Sequence, residues 1–235
     1  MDFDGWPTLD NELDLLDELV PLAGATLLEA GCGAAQLARA LLQRYPDAKV
    51  TGLEVDERQH AKNLAAPASG LSFVLAGAQA VPFGDARFDG ALMLKSLHHV
   101  PRALMAGALA EMARVVRPGG WLYVSEPVYG GDYNELVRIY NDEGAVRAAA
   151  QQALDAAIAG GAWTQAAERR ILSPVRFRDF ADFEQRQMRP TFADHHLDDA
   201  ILARVRECYQ PHQGPDGARF MRPLHVRLLR RAAAR

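Results

Sequence analysis

The sequence is poor in features that mark several other classes of protein. Its 235 residues include two cysteines, Cys32 and Cys208, which are too few for a disulfide framework and lack the spacing of a zinc site. No stretch approaches the roughly 20 consecutive apolar residues of a membrane span, and the acidic N-terminus does not resemble a signal peptide. We therefore expect a cytoplasmic protein with no membrane segment and no metal site.

Positive charge is also scarce. The chain has 26 Lys and Arg against 30 Asp and Glu, which gives a net charge of −4. Nucleic-acid binding relies on a basic surface that displaces condensed counterions, so we expect no nucleic-acid partner. With 49% hydrophobic and 24% charged residues, the composition is that of a folded globular protein. The length suits one α/β domain, residues 1–235.

Short apolar runs alternate with helical patterns in the first half of the chain. The runs predicted as strands are residues 26–29, 49–56, 71–76, 91–94 and 121–125. Strands that alternate with helices indicate a parallel sheet. The Ala-rich residues 133–170, interrupted by Gly160-Gly161, predict two helices, and we assign residues 128–170 to a helical cap inserted after the fifth strand. Strands over 183–188 and 222–229, with a helix over 201–208, are predicted to complete the sheet.

A glycine turn joins the first predicted strand to the next helix. Gly31 and Gly33 let a ligand approach the backbone, and the helix start offers unpaired N–H groups. Glu54 follows about 20 residues later at the end of the second strand, where a carboxylate can bind the two hydroxyls of a ribose. These features predict a nucleoside-containing ligand. Asp56, two residues further on, could instead cap the helix that begins at Glu57.

The charge pattern distinguishes two nucleoside cofactors. An NAD-dependent oxidoreductase needs a third glycine at position 36, where this chain has Gln36. Glu29 would repel a pyrophosphate but would attract a ligand that carries an ammonium and a sulfonium. The pattern therefore favours S-adenosylmethionine over NAD.

Residues 28–33, Leu-Glu-Ala-Gly-Cys-Gly, resemble the first motif of the class I S-adenosylmethionine-dependent methyltransferases. Further segments resemble later motifs of that family in the same order: residues 51–54, 81–83 with 88–89, and 97–100 with 117–120. The resemblance covers residues 25–127. It implies a Rossmann-like, seven-stranded, mostly parallel sheet whose last strand is antiparallel, with S-adenosylmethionine as the cofactor.

The resemblance also assigns residues to the cofactor site. These residues are Glu29, Gly31, Cys32, Gly33, Gln36, Glu54, Val55, Ala78, Gln79 and Lys95. Glu29 and the glycines would hold the methionine portion, Glu54 the ribose, and Ala78 with Gln79 the adenine. The family commonly has an acidic residue after the third strand for the adenine amino group, whereas this chain has Gly77 there.

The resemblance implies transfer of a methyl group to an oxygen, nitrogen or carbon atom of a small molecule, with release of S-adenosylhomocysteine. The alternative is a non-catalytic S-adenosylmethionine-binding or scaffold protein, and a homodimer is compatible with the sequence. His98 and His99 are weak candidates for a general base, because packing against or capping of the helix that follows explains them better. Two further groups are open to a functional or a structural role: the aromatic residues Phe3, Trp6, Tyr129, Tyr133 and Tyr140 as a lid, and Arg186, Arg189 and Arg222 as carboxylate-binding residues.

Overall fold

The computed structural model describes residues 3–190 and 195–232. Its strands are β1 (Thr26–Ala30), β2 (Lys49–Glu54), β3 (Leu71–Leu75), β4 (Phe88–Leu94), β5 (Val116–Pro127), β6 (Trp163–Phe177), β7 (Gln213–Gly214) and β8 (Gly217–Arg231). Seven of them follow one another in the order β3-β2-β1-β4-β5-β8-β6, and the short β7 pairs with β8. β1 to β5 pair in parallel, whereas β8 is antiparallel to both neighbours. The predicted sheet, with its antiparallel last strand, is confirmed.

Helices cover both faces of this sheet. They are α1 (Glu12–Leu19), α2 (Gln36–Arg44), α3 (Glu57–Leu64), α4 (Met105–Val115), α5 (Asp132–Val137), α6 (Gly144–Ala159), α7 (Phe180–Phe183) and α8 (Asp199–Tyr209). Neighbouring residues of β1 point to opposite faces, as strand geometry requires. Leu27 packs with residues of α1 and α2, and Leu28 packs with residues of α4 and α6. The sheet is therefore buried on both sides, which explains its nearly continuous apolar strands.

The segment after β5 differs in part from the prediction. Two helices form, α5 and α6, but both precede Gly160-Gly161, where the break between the predicted helices was placed. The predicted helix after these glycines and the end of the predicted cap range 128–170 are wrong, because residues 163–170 belong to β6. β6 pairs with β8 along its length, and this long-range pairing outweighs the helical preference of the preceding Ala-rich stretch. α6 itself packs on the sheet beside α4, where it buries Ala150 and Leu154.

The predicted strand over 183–188 is also wrong. α7 ends at Phe183, and residues 184–188 continue as a π-helical turn. The Asp179 side chain caps α7 by accepting a hydrogen bond from the Asp182 N–H, at 2.8 Å. Other local expectations hold, because α8 and β8 form as predicted and Asp56 caps α3 through the Arg58 N–H, at 3.0 Å.

A third apolar cluster lies where β6 and β8 extend beyond β5. Pro127 pairs with Leu224 at the end of β5, so the first residues of β8 project past that edge together with the last residues of β6. They pack against α5, α7 and α8, and we call this group the outer cluster. Its buried members are Tyr133, Leu136, Val137, Phe177, Phe180, Phe183, Met188, Val205, Tyr209, Ala218 and Phe220. α5 from one part of the chain, and α7, α8 and the ends of β6 and β8 from another, thus pack together beyond the end of β5. We call these elements the cover.

We expect Phe183→Ala to lower the free energy of unfolding by about 3–5 kcal/mol, because the ring is fully buried in the outer cluster and its loss leaves a cavity. Urea denaturation followed by circular dichroism measures the change. Leu104→Ala is the control, since that side chain is 41% exposed. A loss for Phe183→Ala no larger than that of the control would contradict the packing described here.

Candidate active site

The turn between β1 and α2 brings backbone close to the neighbouring strands. The N–H groups of Gly31 and Cys32 both donate to the Leu53 carbonyl, at 3.0 and 2.9 Å. Gly31 has a φ of +72°, and a Cβ at this position would lie 2.7 Å from the Ser96 Cβ. Gly33 has a φ of +51°, but nothing lies within 4 Å of the place where its Cβ would be. Gly31 is therefore required by the fold, whereas Gly33 leaves an open side where a ligand fits.

Glu54 connects this turn to the end of β2. One carboxylate oxygen accepts from the Gly33 N–H at 2.8 Å, and the other accepts from the N–H groups of Val55 and Asp56 at 2.8 and 2.9 Å. A carboxylate can accept about four hydrogen bonds, so the oxygen that faces Gly33 retains capacity for a further donor. Glu54 is buried, 8% exposed. It lies at the carboxyl ends of β1, β2 and β4, where the strand order reverses and open α/β sheets form a ligand crevice; we call this place the crevice. The position of Glu54 fits the predicted contact with a ribose hydroxyl.

Glu29 lies in the same crevice and lacks a full set of partners. The residue is 3% exposed, and its Oε2 is buried with no hydrogen-bond partner. Burial raises the pKa of Glu29 to about 8; the positive charge of Lys95 opposes this rise and the negative charge of Glu12 adds to it. A buried carboxyl group in this state favours a cationic partner. The ammonium and sulfonium of S-adenosylmethionine would supply one.

Lys95 directly follows β4 and lies on the β4 side of the crevice. It has a φ of +56°, and its Nζ forms an ion pair with Glu12 at 2.6 Å. Burial alone would raise the pKa of Glu12, but Lys95 lowers it below its usual range. The N-terminal helix α1 is thus held over the ends of β1 and β4 by a charge pair, a contact for which the sequence carries no local signal.

The side of the crevice predicted to hold adenine has one exposed apolar residue, Val55, and the side-chain amide of Gln79, which was predicted there. Val55 is 67% exposed beside Glu54, and Ala78 is buried. The side-chain amide of Gln79 lies where a side chain at position 77 would be, in contact with the place of the missing Cβ of Gly77. Gln79 thus occupies the space in which the family commonly has an acidic group.

The other two predicted positions differ in their surroundings. Gln36 is the first residue of α2 and is exposed. Cys32 is buried beneath the turn, and burial followed by the negative charges of Glu29 and Glu54 raises the pKa of its thiol to about 12. Cys32 therefore stays a neutral packing residue, as its position in the turn predicts.

A cavity of about 140 Å³ lies between the ends of β4 and β5 and the cover. Tyr133 and Tyr140 of the predicted lid line it, as do Lys95, His98 and His99. The other lid candidates lie elsewhere: Phe3 packs on Trp6 with ring centroids 5.0 Å apart, and the Tyr129 hydroxyl donates to Asp142. The cavity therefore lies at the carboxyl ends of β4 and β5, the same edge of the sheet as the turn at Gly33.

His98 is held inside the cavity wall by a buried carboxylate. Glu126, fully buried at the end of β5, accepts from the Leu97 N–H at 2.9 Å and forms a 2.5 Å contact with His98 Nδ1. The second ring nitrogen of His98 lies 3.8 Å from a Glu143 oxygen. The sequence motif identifies His98, but not Glu126 as its partner, because the two residues meet only when β4 and β5 pair.

His99 and Glu143 complete this group. The two imidazole rings lie 4.1 Å apart, and desolvation together with the charge of His98 lowers the pKa of His99 to about 4. Potential ligand atoms of His98, His99 and Glu143 lie within 4.8 Å of one another. However, Arg147 already binds Glu143 at 2.7 Å, and a metal ion would have to compete with this guanidinium. The predicted absence of a metal site stays a prediction.

The three arginines proposed from the sequence separate in the structure. Arg186 and Arg222 line the cavity. Arg189 does not line it and forms an ion pair with Glu184 at 2.8 Å. Arg147, on α6, is a fourth arginine that lines the cavity, and it was not predicted. Its helix was expected only as part of the cap, and the local sequence does not indicate that this side chain faces the cavity.

Comparison with known proteins agrees with this geometry. Residues 28–124 match the methyltransferase domain family. The chain carries a class I S-adenosylmethionine-dependent methyltransferase domain. The predictions of this family and of its cofactor are thereby confirmed, and the oxidoreductase alternative has no support in these matches.

The similar proteins include methyltransferases with different acceptor atoms. The chain is 38% identical over 117 residues to the O-methyltransferase cnsE of Penicillium expansum, covering 47% of this chain and 41% of that protein. It is 36% identical over 118 residues to the ubiquinone/menaquinone biosynthesis C-methyltransferase UbiE of Dinoroseobacter shibae, covering 48% of this chain and 46% of that protein. The chain thus spans less than half the length of these curated relatives.

A solved structure extends the similarity to nearly the whole chain, at the level of the fold. A SAM-dependent methyltransferase from Methanosarcina mazei superposes with a TM-score of 0.61 at 14% identity, covering 96% of this chain and 100% of that one. In the described residues, 3–190 and 195–232, no helix is long and apolar enough to cross a membrane.

The raised pKa of Glu29 predicts a pH-dependent stability. The unfolded chain loses this proton near pH 4.5, whereas the folded protein holds it until about pH 8. The cofactor-free protein should therefore lose stability as the pH rises from 4.5 to 8, by an amount on the order of a few kcal/mol. Glu29→Gln should remove this loss and be more stable than the wild type at pH 9.

Urea denaturation of both proteins between pH 5 and pH 9 tests this expectation. Glu57→Gln, in the exposed first turn of α3, is the control and should follow the wild type. Parallel stability curves for Glu29→Gln and the wild type would show that the carboxyl group is ionised in the fold.

Proposed function

We propose that the protein transfers the methyl group of S-adenosylmethionine to a small-molecule acceptor and releases S-adenosylhomocysteine. One observation supports this most directly: the open turn at Gly33, flanked by the carboxyl groups of Glu29 and Glu54, lies at the same sheet edge as the cavity that contains His98. The O- and C-methyltransferases among its relatives are consistent with an oxygen or carbon acceptor, and nitrogen remains the third candidate atom.

The residues of the crevice fit the cofactor. Glu29 would face its cationic end, Glu54 a ribose hydroxyl, and Val55 with Gln79 the adenine. When bound, S-adenosylmethionine supplies a methyl group activated by its sulfonium. The chain itself positions the acceptor and excludes water beneath the cover, and alignment of this kind can supply much of the acceleration.

His98 is our candidate for the general base. Its Nδ1–H would donate to Glu126, which leaves the lone pair of Nε2 free to accept a proton from the acceptor. The imidazolium formed would lie between Glu126 and Glu143, and both carboxylates stabilise that charge. His99 suits this role less well because its lowered pKa makes it a weaker base.

We also infer three properties of the whole chain. Residues 1–235 form one domain, because β6 and β8 belong to both the sheet and the cover. A cytoplasmic location fits the two free cysteines, and nucleic acid is not expected as a partner at a net charge of −4. The homodimer compatible with the sequence stays a prediction, which light scattering of the purified protein tests.

Calorimetric titration with S-adenosylhomocysteine tests the cofactor site. We expect saturable binding by the wild type and about 10- to 100-fold weaker binding by Glu54→Gln, because a charged acceptor is lost at the ribose contact. Glu57→Gln, on the neighbouring helix, should bind like the wild type. No binding by the wild type would exclude the proposed function, and binding without methyl products across a panel of acceptors would favour the non-catalytic alternative.

Steady-state kinetics test the role of His98. With an acceptor found in that panel, His98→Gln should lower kcat by about 10²- to 10⁴-fold at neutral pH, because proton transfer to the base is lost. The rise of kcat with pH that reflects deprotonation of the base should also disappear, while the affinity for S-adenosylhomocysteine should not change. His212→Gln, beside Phe220 in the cover, is the control. A pH profile unchanged in His98→Gln would rule out this role.

A further inference from the structure

Four cationic side chains and one anionic side chain line the acceptor cavity. They are Lys95, Arg147, Arg186 and Arg222, with Glu143 as the anion. A lining with this charge balance attracts anions, unless each cation already has a partner of its own.

Three of the four cations have a carboxylate partner. Lys95 pairs with Glu12 at 2.6 Å, and Arg147 pairs with Glu143 at 2.7 Å. Arg186 pairs with Asp182 at 3.1 Å. Their charges are therefore largely balanced within the protein.

Arg222 is the exception. Within the described part of the chain, no carboxylate oxygen lies within 4.0 Å of its guanidinium nitrogens. Glu12 feels its charge but is held by Lys95 and by the Tyr123 hydroxyl. The Arg222 Nε is buried and has no hydrogen-bond partner. Buried donors in folded proteins are normally paired, and none of the residues in the ranges 3–190 and 195–232 supplies an acceptor to this N–H.

The surroundings of Arg222 hold it in place. It lies on β8 opposite Ser173 of β6, in the part of the sheet that extends into the cover, and its guanidinium lies 5.9 Å from the centre of the Tyr133 ring. Burial raises the pKa of Tyr133, and the charges of Arg222, Arg147 and Arg186 oppose this rise. Arg147 and Arg186 each have a carboxylate partner, so the charge on this side of the cavity that is not balanced among the described residues is that of Arg222.

We propose that Arg222 binds a carboxylate group of the methyl acceptor, so that the substrate class is a small carboxylic acid. The planar guanidinium presents parallel N–H groups that match the two oxygens of a carboxylate. A neutral acceptor would leave this charge and its buried N–H unpaired, whereas a carboxylate satisfies both. The identification of the bound carboxylate with the methyl acceptor rests on the proposed function. Binding of a carboxylate at Arg222 can be measured without methyl transfer.

The experiment uses acetate and benzoate as probes, with acetamide and benzamide as neutral counterparts of nearly the same shape. Binding to the wild type is followed by NMR of the Arg Nε–H signals, with that of Arg222 assigned by its loss in Arg222→Lys. Affinities of the wild type and the variants are measured by calorimetric titration, for the free protein and for protein saturated with S-adenosylhomocysteine. We expect saturable shifts of the Arg222 signal with at least one carboxylate and none with either amide. Arg222→Gln should bind that carboxylate roughly tenfold or more weakly.

Matched variants separate a specific site from general positive charge. Arg189→Gln removes a cation that lies outside the cavity and should bind like the wild type. Arg222→Lys keeps the charge but loses the planar pair of donors, so its affinity should lie between those of wild type and Arg222→Gln. Circular dichroism shows that each variant is folded, and Arg222→Lys keeps the test decisive if Arg222→Gln does not fold.

Several results would overturn the proposal. They are the absence of saturable binding of both carboxylates to the wild type, equal binding of acids and amides, and unchanged affinity in Arg222→Gln. Tighter binding of inorganic phosphate than of either carboxylate at the same signal would assign the site to a phosphorylated acceptor instead. Failure of S-adenosylhomocysteine to bind would reject the proposed function, but the free-protein titration would still measure the carboxylate site.

Discussion

The site depends on one carboxylate that binds backbone on both sides of a crevice. Glu54 accepts hydrogen bonds from Gly33 on the β1 side and from Val55 and Asp56 on the β2 side. A buried carboxylate is costly unless it is paired, so the chain reaches low energy only when these N–H groups converge on it. The turn at Gly31 and Gly33 is thereby positioned before any ligand binds, which reduces the ordering cost of binding.

Two other buried carboxyl groups show how surroundings decide a role. Glu126 receives a backbone N–H and a histidine ring, so it orients His98 towards the cavity. Glu29 has an oxygen without a partner and a raised pKa of about 8. The same functional group is therefore fully paired in one place and partly unpaired in the other. In the proposed function, Glu29 lies in the region of the cofactor and Glu126 beside the region of the acceptor.

The cover joins these regions to the stability of the fold. Its aromatic core includes Phe183 and Tyr133, and the latter also lines the acceptor cavity. The ends of β6 and β8 form its base, and Arg222 lies there, opposite Ser173. Packing of the cover and recognition of the acceptor thus use the same strands.

Local sequence determined the cofactor half of the site. Glycines in a strand-to-helix turn, an acidic residue at the next strand end and a cap such as Asp56 act over a few residues, so the pattern reveals them. Tertiary structure alone decided the acceptor half. Glu126 meets His98 only when two strands pair, and the amide of Gln79 lies beside Gly77. Among the residues that the structure describes, Arg222 has no carboxylate partner, because Glu12 and Glu143 are bound by Lys95 and Arg147. The mistaken strand over 183–188 and the overlong cap have the same cause: apolar residues there pack against distant elements, and burial among those elements, not local periodicity, sets their conformation.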